Sequence, residues 1–330
     1  MADVARHAGV SSMSVSRALK KSELVSQLTR ERIFKAVDEL GYVLDLSAGS
    51  LSSKRTGFVA AIVPSINNSN FSDTARGITD ELEGTGLQLL LAYNEYSTER
   101  EEKLIEAMLR RRPEGIILTG GIHTDRARRM LENAAVPVVE TWDLPAKPID
   151  QVVGFSNAEA MSLLVKTLAA KGYRNFAYIG GTTERDTRGN QRRAGFQSAI
   201  ASLGLPEGRV VSFGVPPISM EQGAQAMASV LEQWPDTQVT ICVSDLSAFG
   251  AMMECHRRGL LVPTDIAIAG FGNYEIAACS HPRLTSVDIE CYEIGKLAAK
   301  KLISTIQNPD RPDRREILLT NIRVVEREST

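Results

Sequence analysis

Cysteine and histidine are scarce in this chain of 330 residues. The four cysteines, Cys242, Cys255, Cys279 and Cys291, contain no pair at C-x-x-C spacing, which argues against a zinc knuckle or a dithiol redox centre. Reduced and mostly buried thiols are expected, a state that suits the cytoplasm. His7, His123, His256 and His281 share no metal-ligating spacing, so surface or structural roles are expected for them. No apolar run reaches the ~18 residues of a membrane span, and no secretory apolar segment opens the chain. There is no Walker loop and no G-x-S-x-G elbow. Gly84-Thr85-Gly86 begins like a dinucleotide fingerprint, but it lacks the third glycine and leads into a strand rather than a helix. Adjacent acids such as Glu101-Glu102 read as helix-surface residues. The expectation is therefore no catalysis, no cofactor and no metal.

Net charge is also lacking, at only −2. Its distribution is more telling than its sum. Residues 1–55 carry nine Lys/Arg against six Asp/Glu, net +3, and the remainder carries 29 against 34, net −5. A modestly basic head on an acidic body fits DNA binding. Hydrophobic content of 43% and charged content of 24% are ordinary for a globular protein, and the length allows a small head plus a core of two subdomains.

The head is the most legible part. In Asp3–Leu19, DVARHAGVSSMSVSRAL, the residues Val4, Ala5 and Ala8 share a helical face. Gly9 breaks that helix at a corner where positive φ is needed, and Val10 plugs the corner. Val15, Ala18 and Leu19 then share the face of a second helix, which Ser11 or Ser12 can cap. Two short helices joined by a tight glycine turn form a helix-turn-helix unit. The outer face of the second helix carries Ser12, Met13, Ser14, Ser16 and Arg17, slim enough to enter a major groove. Met13, Ser14 and Arg17 are expected on base edges, and Ser12 and Ser16 on bases or phosphates. Lys20, Arg30 and Lys54 could add phosphate contacts. A third helix is expected over Ser26–Leu40, with Ile33, Val37 and Leu40 apolar, Ser26 or Thr29 capping it and Gly41 stopping it.

DVARHAGVSSMSVSRAL followed by VSQLTRERIFKAVDELGYV resembles the head of the LacI/GalR family. The family usually has a few more residues before the first helix, which suggests a trimmed or alternative start here. The resemblance implies that residues 44–56 form a hinge helix on DNA, with Leu51 wedged into the minor groove and Ala48 as the small residue before it. Here Leu44, Asp45 and Leu46 replace the common Pro-Asn-Arg, and Gly49 and the serines lower helix propensity. A Ser-rich flexible linker is the competing reading.

From Phe58 onward short apolar runs alternate with helical patterns. FVAAIVP, LQLLLA, GIILTGG, VPVVE, FAYIGG, RVVSF, VTICV and IAIAGF read as strands. Helices are expected over 71–83, 99–111, 125–133, 159–170, 192–202, 220–233 and 248–257. Such alternation means parallel sheets covered on both faces. FVAAIVPSI and FAYIGGTTE each open a similar unit, which suggests two Rossmann-like lobes facing across a cleft. The expected architecture is α/β: an all-α helix-turn-helix head (1–43), a hinge or linker (44–56) and a two-lobed core (57–330). The resemblance to LacI/GalR cores covers nearly all of 57–330 and implies a periplasmic-binding-protein-like fold crossing between lobes near Ser156, Asp288 and Leu318. The N-lobe would hold 57–156 and 288–317, and the C-lobe 157–287 and 318–330.

Ligands in open α/β sheets sit beyond the carboxyl ends of the strands. Those loops supply Asn70 and Phe71, Trp142, Arg188 and Arg192, Ser244 and Asn273 as candidate effector contacts. Arg192-Arg193-Ala194-Gly195-Phe196 matches the R-x-x-G-[FW] pattern whose arginine, the family resemblance implies, reaches into the cleft. An arginine fork can hold a carboxylate or vicinal hydroxyls. Trp142 and Phe71 could stack on a sugar ring or simply fill core. The family often has an Asp-Asp or Asp-Asn pair where this chain has Gly272-Asn273; the missing first Asp removes a hydroxyl acceptor, so a plain neutral sugar fits less well than a sugar acid. FGNYEIA, MMECHRRGL and VVETW resemble the gluconate-repressor (GntR, LacI-type) branch.

The reading is a homodimeric, ligand-responsive transcriptional regulator, expected to be a repressor that binds a pseudo-palindromic operator as double-stranded DNA. Its operator affinity would be set by a small sugar or sugar acid, gluconate-like, and no membrane partner is expected. The absence of a leucine heptad near Thr330 favours a dimer over a tetramer. The segments Arg76-Gly77-Ile78 and Ile105–Leu109 could join the dimer face. The rival readings are an enzyme, which turnover of a sugar would reveal, and a periplasmic-type sugar-binding protein. DNA retention by the whole chain, but not by a chain beginning at Thr56, separates the last from a regulator.

Overall fold

A computed structural model describes residues 1–20, 24–43, 56–181, 186–308 and 315–330. The chain divides into two compact units, Met1–Thr56 and Gly57–Thr330.

In the first unit, α1 spans Ala2–Ala8, α2 Ser12–Lys20 and α3 Gln27–Glu39. Val4, Ala5, Ala8, Val15, Ala18 and Ile33 are among the side chains that meet in one small core. Gly9 adopts φ 63°, ψ 41°, and the Val10 amide donates to the Ala5 carbonyl at 2.9 Å, so the turn closes on α1 itself. Arg32 donates to the Ala8 carbonyl at 2.5 Å and occupies the space that a side chain at Gly9 would need. Of the two serines, Ser11 is the cap: its Oγ accepts from the Ser14 amide at 3.1 Å. Neither Ser26 nor Thr29 caps α3, because their hydroxyls bond each other at 2.9 Å. Leu40 lies past the end of α3 and is exposed, and Ala36 takes the core position.

The second unit holds two six-stranded sheets. The first contains β1 (Phe58–Val63), β2 (Gln88–Tyr93), β3 (Ile116–Thr119), β4 (Val138–Thr141), β5 (Gln151–Gly154) and β11 (Ile317–Leu319), in the order β11-β5-β4-β3-β1-β2. The second contains β6 (Phe176–Gly180), β7 (Arg209–Ser212), β8 (Val239–Cys242), β9 (Ala267–Phe271), β10 (Thr285–Asp288) and β12 (Arg323–Val325), in the order β12-β10-β9-β8-β6-β7. All pairings are parallel except β10 with β12. Strands β3, β4, β6, β8 and β9 are buried along their whole length, which is why they read as largely apolar runs rather than alternating ones.

The helices are α4 (Ser69–Leu82), α5 (Thr98–Leu109), α6 (Asp125–Ala134), α7 (Asn157–Ala170), α8 (Thr187–Ser202), α9 (Met220–Gln233), α10 (Asp245–Arg257), α11 (Glu275–Cys279) and α12 (Cys291–Gln307). Most begin on a polar cap. Asp186 accepts from the Gly189 amide, so α8 starts five residues before Arg192; Ser244 and Ser247 form a capping box that starts α10 at Asp245 rather than at Ala248.

The chain leaves the first sheet after Gly154, returns to it after Asp288, and passes to the second between Leu319 and Arg323. Leu318 thus lies inside a strand of the first sheet, and the last crossing falls just beyond it. Helices α4 and α12 touch backbone to backbone. A Cβ on Gly77 would stand 2.2 Å from the Tyr292 carbonyl oxygen, and one on Gly295 2.0 Å from that of Thr74. Gly77, Ile78 and Ile105 are therefore spent on this chain's own core, while Arg76 and Ala107 of the same two segments are exposed. Glu101 also departs from expectation: it shares the inner face of α5 with Ile105 and Met108 and is buried.

Candidate DNA-reading helix and effector cavity

On the head, Val15 and Ala18 fix which side of α2 faces in. The opposite side presents Ser12, Met13 and Arg17 to solvent, with Met13 63% exposed. Ser14 and Ser16 are half-buried, and the Ser14 hydroxyl bonds Ser11 at 3.0 Å. An exposed methionine beside an arginine offers an apolar contact for a thymine methyl and a fork for a guanine edge. Helix α1 is tied to α3 by His7 and Glu39 at 2.7 Å, and that bond holds the Glu39 carboxyl below its ordinary pKa. Leu51, Ala48 and Lys54 lie outside the described residues, as does all of 44–55.

In the core, the loops after the strands enclose a cavity of about 570 Å³, its open mouth included. The first lobe contributes Asn68, Asn70 and Phe71 from the start of α4, Tyr96 from the turn after β2, and Trp142 from the end of β4. The second lobe contributes Asp186, Arg188 and Arg192 from α8 and its cap, and Pro216-Pro217-Ile218 from the loop after β7. Val243 and Ser244 follow β8, Phe271 ends β9 and Tyr274 follows it. Of the seven effector contacts expected from sequence, the cavity brings together Asn70, Phe71, Trp142, Arg188, Arg192 and Ser244.

Asn273 is the exception and is withdrawn as an effector contact. Its side-chain oxygen accepts from Arg327 at 2.7 Å and its amide donates to Ser286 at 2.9 Å, at φ 51°. This left-handed turn points the carboxamide at the C-terminal segment, away from the cavity. The preceding Gly272 has no room for an acid: a Cβ there would stand 2.4 Å from the Asn70 amide nitrogen. Instead, Asn70 donates across the cleft to the Gly272 carbonyl at 3.0 Å, and Gln191 donates across it to Asp143 at 3.0 Å.

The two arginines are held differently. Arg192 donates through Nε to Asn157 at 2.9 Å and through Nη1 to the Val243 carbonyl at 2.9 Å, and its guanidinium lies 3.7 Å above the Phe271 ring centre. Burial lowers its pKa, but from a value so high that it stays charged. Arg188 is buried with its guanidinium 5.8 Å from both the Phe71 and Tyr96 ring centres. No carboxylate among the described residues pairs with either arginine. Asp186 is the one acid among the described lining residues, and it is occupied in capping α8. Among the described lining residues, positive charge is thus in excess.

Trp142 is 3% exposed, packs 4.8 Å from Phe71 and donates its indole N–H to Thr74 at 3.2 Å. It fills core and presents only part of its surface to the cavity. The Ser244 hydroxyl accepts from the Ser247 amide as a helix cap. Sequence reasoning passed over Tyr96 and the Pro216–Ile218 loop, and in the loop after β9 it settled on Asn273 rather than Tyr274. The rule that placed the other loops at strand ends also applies to β2 and β7. Behind the wall, Asp245 accepts from the Ser286 hydroxyl at 2.6 Å and from the Tyr274 amide at 2.7 Å, and burial pushes its pKa up to about 6. It anchors the loop that carries Tyr274.

A helix-turn-helix head joined to a two-lobed core with a cleft defines a class of DNA-binding sensor proteins. Comparison with known proteins agrees. Residues 1–45 match the model for bacterial regulatory proteins of the lacI family, and residues 165–330 match the periplasmic binding protein-like domain. The chain is 35% identical over 306 residues to the HTH-type transcriptional regulator GntR of Escherichia coli K12, covering 92% of this chain and 91% of that protein. Among solved structures, a LacI-family transcriptional regulator from Silicibacter pomeroyi superposes with a TM-score of 0.89 at 33% identity, covering 99% of this chain and 98% of that one. The operator-bound lac repressor dimer shares the fold, with a TM-score of 0.85 at 24% identity over 99% of this chain and 98% of its own. The chain belongs to the lacI family of bacterial regulatory proteins. It is a DNA-binding transcriptional regulator, and its relatives are regulators rather than enzymes. No helix among the described residues is long and apolar enough to cross a membrane.

Proposed function

We propose that this regulator is a cytoplasmic homodimeric repressor whose grip on a pseudo-palindromic operator is set by a small sugar acid, gluconate-like, in the core cavity. The observation that carries the ligand class is the charge of the described lining residues: two arginines, Arg188 buried and Arg192 half-buried, against one capping aspartate. A carboxylate entering there gains charge-assisted hydrogen bonds that a neutral sugar does not. The amides of Asn68 and Asn70 and the hydroxyl of Ser244 suit the ligand's hydroxyl groups. Arg192 already covers the Phe271 face and Trp142 packs at a tilt against Phe71, which favours an open-chain acid over a ring stacked on an aromatic.

On the head, Ser12, Met13, Ser14, Ser16 and Arg17 read the operator, with Leu51 as the minor-groove wedge. Two heads related by a two-fold axis fit a two-fold site. Ligand acts by favouring one lobe arrangement over another, so ligand and operator must change each other's affinity by the same factor. A thermal-shift panel of neutral sugars and sugar acids tests the class. D-gluconate should raise the melting temperature and D-glucose should not; the reverse order would overturn the sugar-acid reading. Removing residues 1–55 should abolish DNA retention and leave the gluconate shift intact.

A further inference from the structure

Behind the first lobe's part of the cavity wall lies a cluster that the effector reading does not use. The His123 side chain is fully buried between two buried glutamates, with Nδ1 2.5 Å from Glu101 and Nε2 3.3 Å from Glu140. We propose that His123 is a positioning residue for effector binding, joining from behind the three first-lobe segments that form the cavity wall.

Each contact leads to one segment. Glu101, on α5, accepts from the Asn94 amide group at 3.3 Å, and Asn94 in turn accepts from the Tyr96 amide at 3.1 Å. This path holds the turn that places Tyr96 on the cavity. His123 itself follows Gly120-Gly121, and a Cβ on Gly120 would stand 3.1 Å from Arg188 Nη1, so this loop backs the cavity's arginine. Glu140 lies two residues before Trp142 and three before Asp143, which receives the cross-cleft bond from Gln191. Its other oxygen accepts from the Ile149 amide at 2.6 Å.

The charge on the ring matters. A neutral imidazole has one N–H and one lone pair, so one carboxylate would face a lone pair with no proton between them. The two carboxylates would also lose their shared counter-charge inside the protein. The other charged groups near the cluster are engaged or across the loop. Glu102 on α5 pairs with Arg126 on α6 at 2.9 Å and accepts from Thr124, and Glu106 pairs with the same arginine at 2.7 Å. Arg188 and Asp186 approach from the second lobe, lining a small space that Glu101 also borders. Burial alone would drive the ring towards neutrality, but the two glutamates more than offset it and hold its pKa up at about 9.

This proposal rests on the cavity being the effector site, so the test includes a readout that needs no effector. Trp142 and Trp234 are the two tryptophans, and the full-length Trp234→Phe protein leaves Trp142 as the sole reporter. Its emission should show an alkaline transition. That transition should vanish in His123→Gln and move to lower pH in Glu140→Gln, where one counter-charge is missing. The affinity for D-gluconate should fall by ~5-fold or more across the same transition and stay flat in His123→Gln. A flat Trp142 profile, or a transition unchanged by either substitution, overturns the positioning role, as does gluconate affinity that stays constant through the transition. If gluconate binds at no pH, the sugar-acid reading falls, and the Trp142 transition still decides whether His123 holds the wall.

Discussion

Replacing Arg188 with Met separates ligand recognition from stability. Arg188 is 6% exposed, and its guanidinium has no carboxylate partner among the described residues. Taking such an ion out of water costs several kcal/mol, and the neighbouring Phe71 and Tyr96 rings return only part of it. Methionine is unbranched and apolar enough to lie between those rings. The ligand-free variant should therefore be as stable as the parent, or more stable by about 1–3 kcal/mol. Binding should move the other way. Hydrogen bonds to a charged group are worth about 1.5–3 kcal/mol, so D-gluconate affinity should fall roughly 10- to 150-fold. Arg192→Met is the counter-case. It strands the Asn157 side-chain oxygen and the Val243 carbonyl, both bonded at 2.9 Å, and uncovers Phe271, so the ligand-free protein should lose about 1–3 kcal/mol. Urea melts without ligand, paired with calorimetric titration of gluconate, distinguish the two. A destabilised Arg188→Met that binds gluconate as the parent does would refute the reasoning.

Other perturbations test other levels of the account. Gly295→Ala puts a Cβ 2.0 Å from the Thr74 carbonyl, so α4 and α12 must part, and the urea midpoint should fall by the equivalent of about 1–3 kcal/mol or more. Gly9→Ala combines φ 63° with a contact of 2.8 Å to Arg32, so it should melt the head at about 1–2 kcal/mol lower stability and weaken operator binding, while the gluconate thermal shift persists. His123 is raised above its unfolded pKa; its contribution of about 3 kcal/mol is whole below pH 6.5 and is lost as pH rises through about 9, so melting temperature should drop over that window in the parent and less in His123→Gln. Arg17→Ala should lower discrimination at one base pair of each half-site by about 1–3 kcal/mol, read by competition among operator variants.

The head could be read because its signals are local: a glycine corner, a serine cap and apolar spacing within 17 residues, Asp3 to Leu19. The alternation from Phe58 was legible for the same reason. Strand β5 was passed over because its four residues, QVVG, sit between a proline-rich turn and the next helix cap, too short to show a period. Helix α12 and strands β10, β11 and β12 escaped because their placement depends on the chain crossing between lobes, and no local pattern records a crossing. At the core, six of the seven residues expected from strand ends line the cavity. Asn273 failed because a left-handed turn re-aimed its side chain, and that turn is set by Arg327, 54 residues away. The Glu101–His123–Glu140 cluster joins residues 22 and 17 positions apart. One hint was available: Glu101, Ile105 and Met108 share a helical face, so the acid had to be buried with its apolar neighbours.

The central claim is that a filled cavity changes how tightly the heads hold DNA. Its most direct test is the affinity of the full-length protein for a duplex selected from a random pseudo-palindromic library, measured by fluorescence anisotropy with and without saturating D-gluconate. The account predicts binding at least ~1000-fold tighter than to random DNA, and a change in operator Kd on adding gluconate that equals the change in gluconate Kd on adding operator. An operator Kd that is the same with gluconate bound as without it would contradict the claim.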